Sequence, residues 1–160
     1  MLDPCPAVTL ALDCALAGPA VKSRRTPARI KKSRFLRGDC DGMALALHDA
    51  TSLPLGLWRG VYAHEDGDLD YENCHAVVVL DYAGLQWADV NGVQQGLPRC
   101  GFLNRVRRVE LVPATAQEVR EAFCCDVSWQ DTSFALARQY LRENPALLRS
   151  FPRTDAGVRP

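Results

Sequence analysis

One cysteine, one histidine and one aspartate in the central half of the chain have the order and local context of a thiol nucleophile with its base and orienting acid: Cys40, His75 and Asp89. A thiol attacks a carbonyl as its thiolate, an imidazole moves the protons, and a carboxylate fixes the tautomer and direction of the ring. Cys40 follows Asp39, a candidate N-cap, and so falls in the first turn of a helix, where unpaired N–H groups and the positive end of the dipole favour a negative sulfur. Gly38 and Gly42 flank it and admit close approach of a substrate backbone, while an N–H at the helix start is a candidate oxyanion donor. Asp39 and Asp41 act in the opposite sense, because adjacent negative charge raises a thiol pKa, so an imidazole is needed to offset them.

His75 opens the apolar run 75–80, which places its ring at the end of a strand and suits it to the role of general base. The run 85–90 follows a turn at Asp81-Tyr82-Ala83-Gly84, and a hairpin centred on Tyr82 sets Asp89 opposite or nearly opposite His75. Trp87 shares that face and shields the expected imidazole–carboxylate bond from water. Gly38, Asp39 and Trp87 are the expected substrate contacts. Taken singly, a buried thiol, a strand-end histidine and a turn aspartate are ordinary structural residues; their joint order and matched register favour a functional triad. His48, about two turns beyond Cys40, and His64, in an acidic loop, are expected at the surface.

The elements that hold these residues follow from periodicity and punctuation. A helix is expected over 39–53, ended by Pro54, then an extended run over 55–63 and an exposed acidic loop over 64–72. Residues 93–101 read as loop and 104–112 as a further strand. Thr115 and Glu118 match a capping box opening one helix, and Asp131 or Thr132 caps another that stops at Asn144-Pro145. Residues 6–17 suit a short helix, and the tail from Pro152 is expected to fray. The result is one α+β domain over 1–160, with a nucleophile-bearing helix on a small antiparallel sheet and C-terminal helices over 113–151.

Charge is distributed unevenly along a chain of 160 residues whose formal net charge is zero. Residues 1–38 hold eight Lys/Arg and two Asp/Glu, residues 39–100 two and ten, and residues 101–160 nine and seven. The acidic centre disfavours nucleic acid at a central site and suggests a basic peptide or amine substrate. Residues 22–37, basic and free of acids, read as an exposed connector or arm. No apolar run approaches the roughly 20 residues of a membrane span, and no basic segment precedes the apolar N-terminal stretch, so a cytoplasmic protein is expected. The seven cysteines form an odd set without a C-x-x-C pair, which argues for buried thiols over a disulfide framework. A metal site gathering Cys74-His75, Cys100 and Cys124-Cys125 is the weaker reading, since adjacent pairs lack the spaced turns that hold tetrahedral zinc.

The run Gly38-Asp39-Cys40 with Ala44, Leu47, Leu53-Pro54 and Gly60, then His75, Gly84, Trp87 and Asp89, resembles the core of transglutaminase-like and papain-like cysteine enzymes across residues 34–93. The resemblance implies Cys40, His75 and Asp89 as a catalytic triad, acyl transfer through a thioester to water or an amine, a protein or peptide substrate, and no cofactor or metal. The sequence departs from papain-like peptidases in having Asp41-Gly42 where an aromatic residue usually follows the nucleophile, and in lacking a nearby preceding glutamine. It looks more like the small bacterial or phage members of the superfamily. The alternative from another class is a non-catalytic binding protein on the same fold, with the basic arm docking an acidic partner or nucleic acid.

Overall fold

Helix α1 (Cys40–Thr51) is built from a run whose first eight residues are all buried, Cys40 through Leu47. It stops where Ser52 turns left-handed (φ 58°) and donates its N–H to the His48 carbonyl, two residues before Pro54. A computed structural model describes residues 29–36, 38–64, 66–98, 106, 108–123 and 127–151. Around α1 the chain forms an α+β arrangement of a five-stranded antiparallel sheet and, among the described residues, four α-helices. The strands are β1 (Leu55–Ala63), β2 (Leu69–Asp81), β3 (Gln86–Asp89), β4 (Gly92–Gln95) and β5 (Arg108–Ala114), in the order β4-β3-β2-β1-β5. Helices α2 (Ala116–Phe123), α3 (Val127–Glu143) and α4 (Pro145–Arg149) complete the described chain.

The centre of β2 is buried on both faces from His75 to Val79, which explains an uninterrupted apolar run where a half-exposed strand would alternate. One face carries Ala76, Val78, Ala88 and Leu57 against Met43, Ala44 and Leu47 of α1, with Ala137, Tyr140 and Leu141 of α3 closing the layer behind. The other face is covered by a smaller cluster of Trp58, Val77, Val79 and Trp87, in which the two indoles meet edge to face at 6.0 Å. No described helix is long and apolar enough to cross a membrane.

Several local expectations are corrected. The end of the acidic stretch is strand: β1 and β2 pair out to Ala63↔Leu69, so that residues 69–72 belong to β2. Residues 92–95, read as loop, form β4, joined to β3 by a two-residue turn at Val90-Asn91. The strand expected over 104–112 is observed over Arg108–Ala114, running through Pro113 on the sheet edge, where a missing N–H is tolerated. α3 begins at Val127, upstream of the expected cap, and Pro145 starts the additional short helix α4. The basic segment is not simply an exposed arm: Lys32–Leu36 forms a 3-10 turn whose Phe35 is fully buried edge-on to Tyr140 at 5.3 Å. The Thr115–Glu118 capping box is present, the Thr115 N–H donating to Glu118 Oε2 at 2.7 Å and the Glu118 N–H to Thr115 Oγ1 at 3.2 Å. The helix expected over 6–17, residues 22–28 and 37 of the basic segment and the tail from 152 lie outside the described residues.

The α1–α3 contact fixes the floor beneath the start of α1. A Cβ placed on Gly42 would stand 2.2 Å from Ser133 Oγ and 2.6 Å from the Ser133 carbonyl carbon, so only glycine lets the two backbones approach. Because one of the clashing atoms is backbone, Gly42→Ala should force the helices apart and destabilise the protein by about 2 kcal/mol. That corresponds to a fall in Tm of roughly 4–8 °C for a chain of this length, checked by thermal unfolding.

Candidate functional site

Cys40 is the first residue of α1 and is 5% exposed. Its position at the helix start was expected, but Asp39 does not cap the helix: its side chain makes no capping hydrogen bond and is instead ion-paired with the Arg34 guanidinium, at 2% exposure. Arg34 in turn lies over the Trp129 ring, 5.6 Å from its centroid. Neutralised in this way, Asp39 places less negative charge beside the sulfur than the bare sequence suggests. It is tied down as a structural anchor of residues 34–39 rather than projected at a ligand. Asp41 is also buried; burial pushes its carboxyl above the ordinary range, the Gly42 amide opposes this, and the Asp39 charge adds to it.

His75 lies in β2 opposite Trp58 of β1, immediately after a bulge at which Cys74 is left out of the ladder. Bulges re-aim neighbouring side chains, and here the irregularity stands where the strand brings an imidazole toward the helix start. The ring nitrogen Nε2 is 3.1 Å from Asp89 Oδ2, with both residues buried. The Cys40 thiol is near enough to the same ring to act on its protonation. With Nε2 turned to Asp89, Nδ1 is the nitrogen left for the sulfur.

Burial opposes a charge on the His75 ring. It is outweighed by the hydrogen bond the ring donates to Asp89, by its interaction with the Cys40 sulfur and by the charges of both partners, and the imidazole is pushed up to about 9. Asp89 is held by its own turn: Oδ1 accepts the Asn91 N–H at 2.7 Å and Oδ2 lies 3.4 Å from Asn91 Nδ2. Trp87 packs edge-on to the His75 ring at 5.9 Å and donates its indole N–H to the Gly96 carbonyl at 2.7 Å. The structure thus brings Cys40, His75 and Asp89 together with Trp87 beside them.

The cross-strand geometry differs from the expected one. The β2–β3 pairs Val78↔Ala88 and Val79↔Trp87 centre the hairpin on Ala83, one residue beyond Tyr82. Continuing that register sets Asp89 opposite Val77, so His75 and Asp89 are diagonal neighbours, a separation that side chains of this length still bridge.

His75, Trp87 and Asp89 line a cavity of about 500 Å³ together with Cys74, Asn91 and Leu36. Cys40, 5% exposed against 9% for His75, is outside that lining. Gly38, exposed and with φ 141°, belongs instead to a second cavity of about 610 Å³ that also reaches Asp39, Arg34 and Trp129. Sequence reasoning missed Arg34, Cys74 and Asn91. The Asp89-x-Asn91-Gly92 turn was a signal for the last of these, whereas nothing in the basic run singled out Arg34. The Cys74 thiol donates to the Trp58 carbonyl at 3.1 Å. His64 is exposed, 3.8 Å from Asp70, as expected, but His48 is only half-buried and donates from Nδ1 to the Leu53 carbonyl at 2.7 Å, fastening the end of α1. Among the described residues no group of three metal-ligating side chains is gathered, and Cys100, Cys124 and Cys125 lie outside them.

Compared with protein-family models, characterised proteins and solved structures, the chain matches none.

Proposed function

We propose that this chain is a cysteine-dependent amide hydrolase or acyltransferase with a papain-like or transglutaminase-like core, in which Cys40 is the nucleophile, His75 the acid–base and Asp89 the orienting carboxylate. The observation that carries the reading is the single buried imidazole held between a thiol at a helix N-terminus and a carboxylate 3.1 Å away. Structural histidines rarely need both partners, and perturbed titratable groups of this kind concentrate at functional sites.

The chemistry follows from the arrangement. An imidazolium beside the sulfur favours the thiolate, which attacks the amide carbon while the carbonyl oxygen takes up negative charge near the amide N–H of Cys40 at the helix start. His75 gives its proton to the leaving nitrogen as the C–N bond breaks, leaving a thioester on Cys40. Water or an amine then attacks the thioester, His75 takes the proton it sheds, the C–S bond breaks, and the thiolate beside the imidazolium is restored. Asp89 keeps Nε2 engaged, so that Nδ1 faces the sulfur throughout.

A small neutral electrophile tests the reading, because Cys40 is almost wholly buried. Iodoacetamide at pH 7, followed by peptide mapping of the folded protein, should label Cys40 well ahead of the other six cysteines, and Cys40→Ala should leave only the slow background. Slow, even labelling of all seven would overturn the enzyme reading.

A further inference from the structure

The second cavity reaches the two residues that precede the nucleophile in sequence. It is bounded by Gly38 and Asp39, the two residues before Cys40, and continues over Arg29, Lys31, Arg34 and Trp129. Its charge is the reverse of what the acidic middle of the chain suggests. The acids Asp66, Asp68, Asp70 and Glu72 stand exposed on the β1–β2 hairpin and line neither cavity. Of the groove's four charged groups, Asp39 and Arg34 neutralise each other. Arg29 and Lys31 remain, both exposed and, among the described residues, without an ion pair. Beside them lies the exposed face of Trp129, 48% accessible, with Ile30 and Leu136 giving the groove an apolar wall.

We propose that this groove receives an acidic segment of the substrate, so that the enzyme acts on amide bonds close to Asp or Glu side chains. The inference rests on the catalytic assignment above and adds the class of substrate to it. Two unpaired cations at the rim supply the charge complementarity, and the indole and aliphatic wall take up the methylenes of the acidic side chains. The Arg34–Asp39 pair fixes the rim: it ties residues 34 and 39 together and stacks the guanidinium on Trp129, so the groove is held open directly beside Gly38.

The test compares two short chloroacetyl peptides identical except for a Glu-Glu or a Lys-Lys pair, measuring the rate of Cys40 modification in the full chain. Each rate is divided by that of iodoacetamide on the same variant, which cancels any change in the thiol itself. The Glu-Glu reagent should react roughly tenfold faster than the Lys-Lys reagent at low salt, with the ratio shrinking at high salt. The double reversal Arg29→Glu with Lys31→Glu should bring the ratio to one or invert it. Equal rates in the natural protein, or a preference that survives the reversal, would overturn the acidic-substrate assignment while leaving the catalytic one standing. If Cys40 proves unreactive even to iodoacetamide, it is the catalytic reading that fails. The groove is then judged by fluorescence anisotropy of a labelled Glu-rich peptide, whose binding must weaken in the reversal variant for the groove assignment to stand.

Discussion

In a His75→Ala variant, the second-order rate of Cys40 alkylation at pH 7 should fall by roughly 10²–10³-fold, and amide turnover by at least as much, the usual contribution of a positioned acid–base. Two features of the site make the effect large. The ring carries its positive charge through the neutral range, because Asp89 and Cys40 together outweigh burial and push it up to about 9. Cys40 is also only 5% exposed and part of the apolar core cluster, so that without the ring its sulfur faces a largely apolar surrounding in which an anion is disfavoured. Loss of packing is separated from loss of chemistry by adding imidazole to the solution. The small cavity left by the truncation lies on the side of the 500 Å³ cleft, so free imidazole should restore a measurable part of the alkylation rate in the variant and leave the natural protein unaffected. An alkylation rate in His75→Ala equal to that of the parent would remove His75 from the reaction, and with it the assignment of Cys40 as an activated nucleophile.

What the sequence discloses about this site depends on the range over which each signal acts. The start of α1, its stop shortly before Pro54 and the Thr115–Glu118 capping box are set by residues close in sequence and were legible, although Asp39 does not make the expected cap and the helix ends at Thr51, two residues early. β4 was missed because Gly96, Pro98 and Gly101 made 93–101 read as loop, although Asn91-Gly92 after a strand is itself a hairpin signal. The outer half of β2 was missed for a different reason. Asp70 and Glu72 disfavour strand by propensity, but pairing with β1 supplies hydrogen bonds that propensity does not count. Phe35 was hidden in a basic run, since nothing local marks it as the ring that meets Tyr140 more than a hundred residues on. The approach of Cys40 to His75 is of the same kind. It depends on α1 packing on β2, a tertiary contact that periodicity permits and does not specify.

Stability should decline between about pH 7 and 10 because of the same histidine, and Asp89→Asn should flatten that decline. An unfolded chain releases the His75 proton near its ordinary value of 6.5, whereas the folded chain holds it until about 9. Below 6.5 both states are protonated and the stabilisation is fully present; as pH rises through 9 the folded state loses its proton too and the contribution disappears. A difference of this size corresponds to on the order of 3 kcal/mol across the window. Asn at position 89 keeps the volume and can still meet the Asn91 N–H, but it removes the carboxylate that makes the strongest favourable contact with the ring. Burial then dominates, the imidazole titrates lower, and the variant should be less stable at pH 7 yet nearly level with the parent at pH 10. Urea unfolding of both proteins at matched pH measures the difference directly, and because the other cysteines and tyrosines titrate in both, they cancel in the subtraction. A constant offset between the two curves from pH 6 to 10 would mean that the ring in the 3.1 Å contact is neutral and has no standing charge to lend to the sulfur.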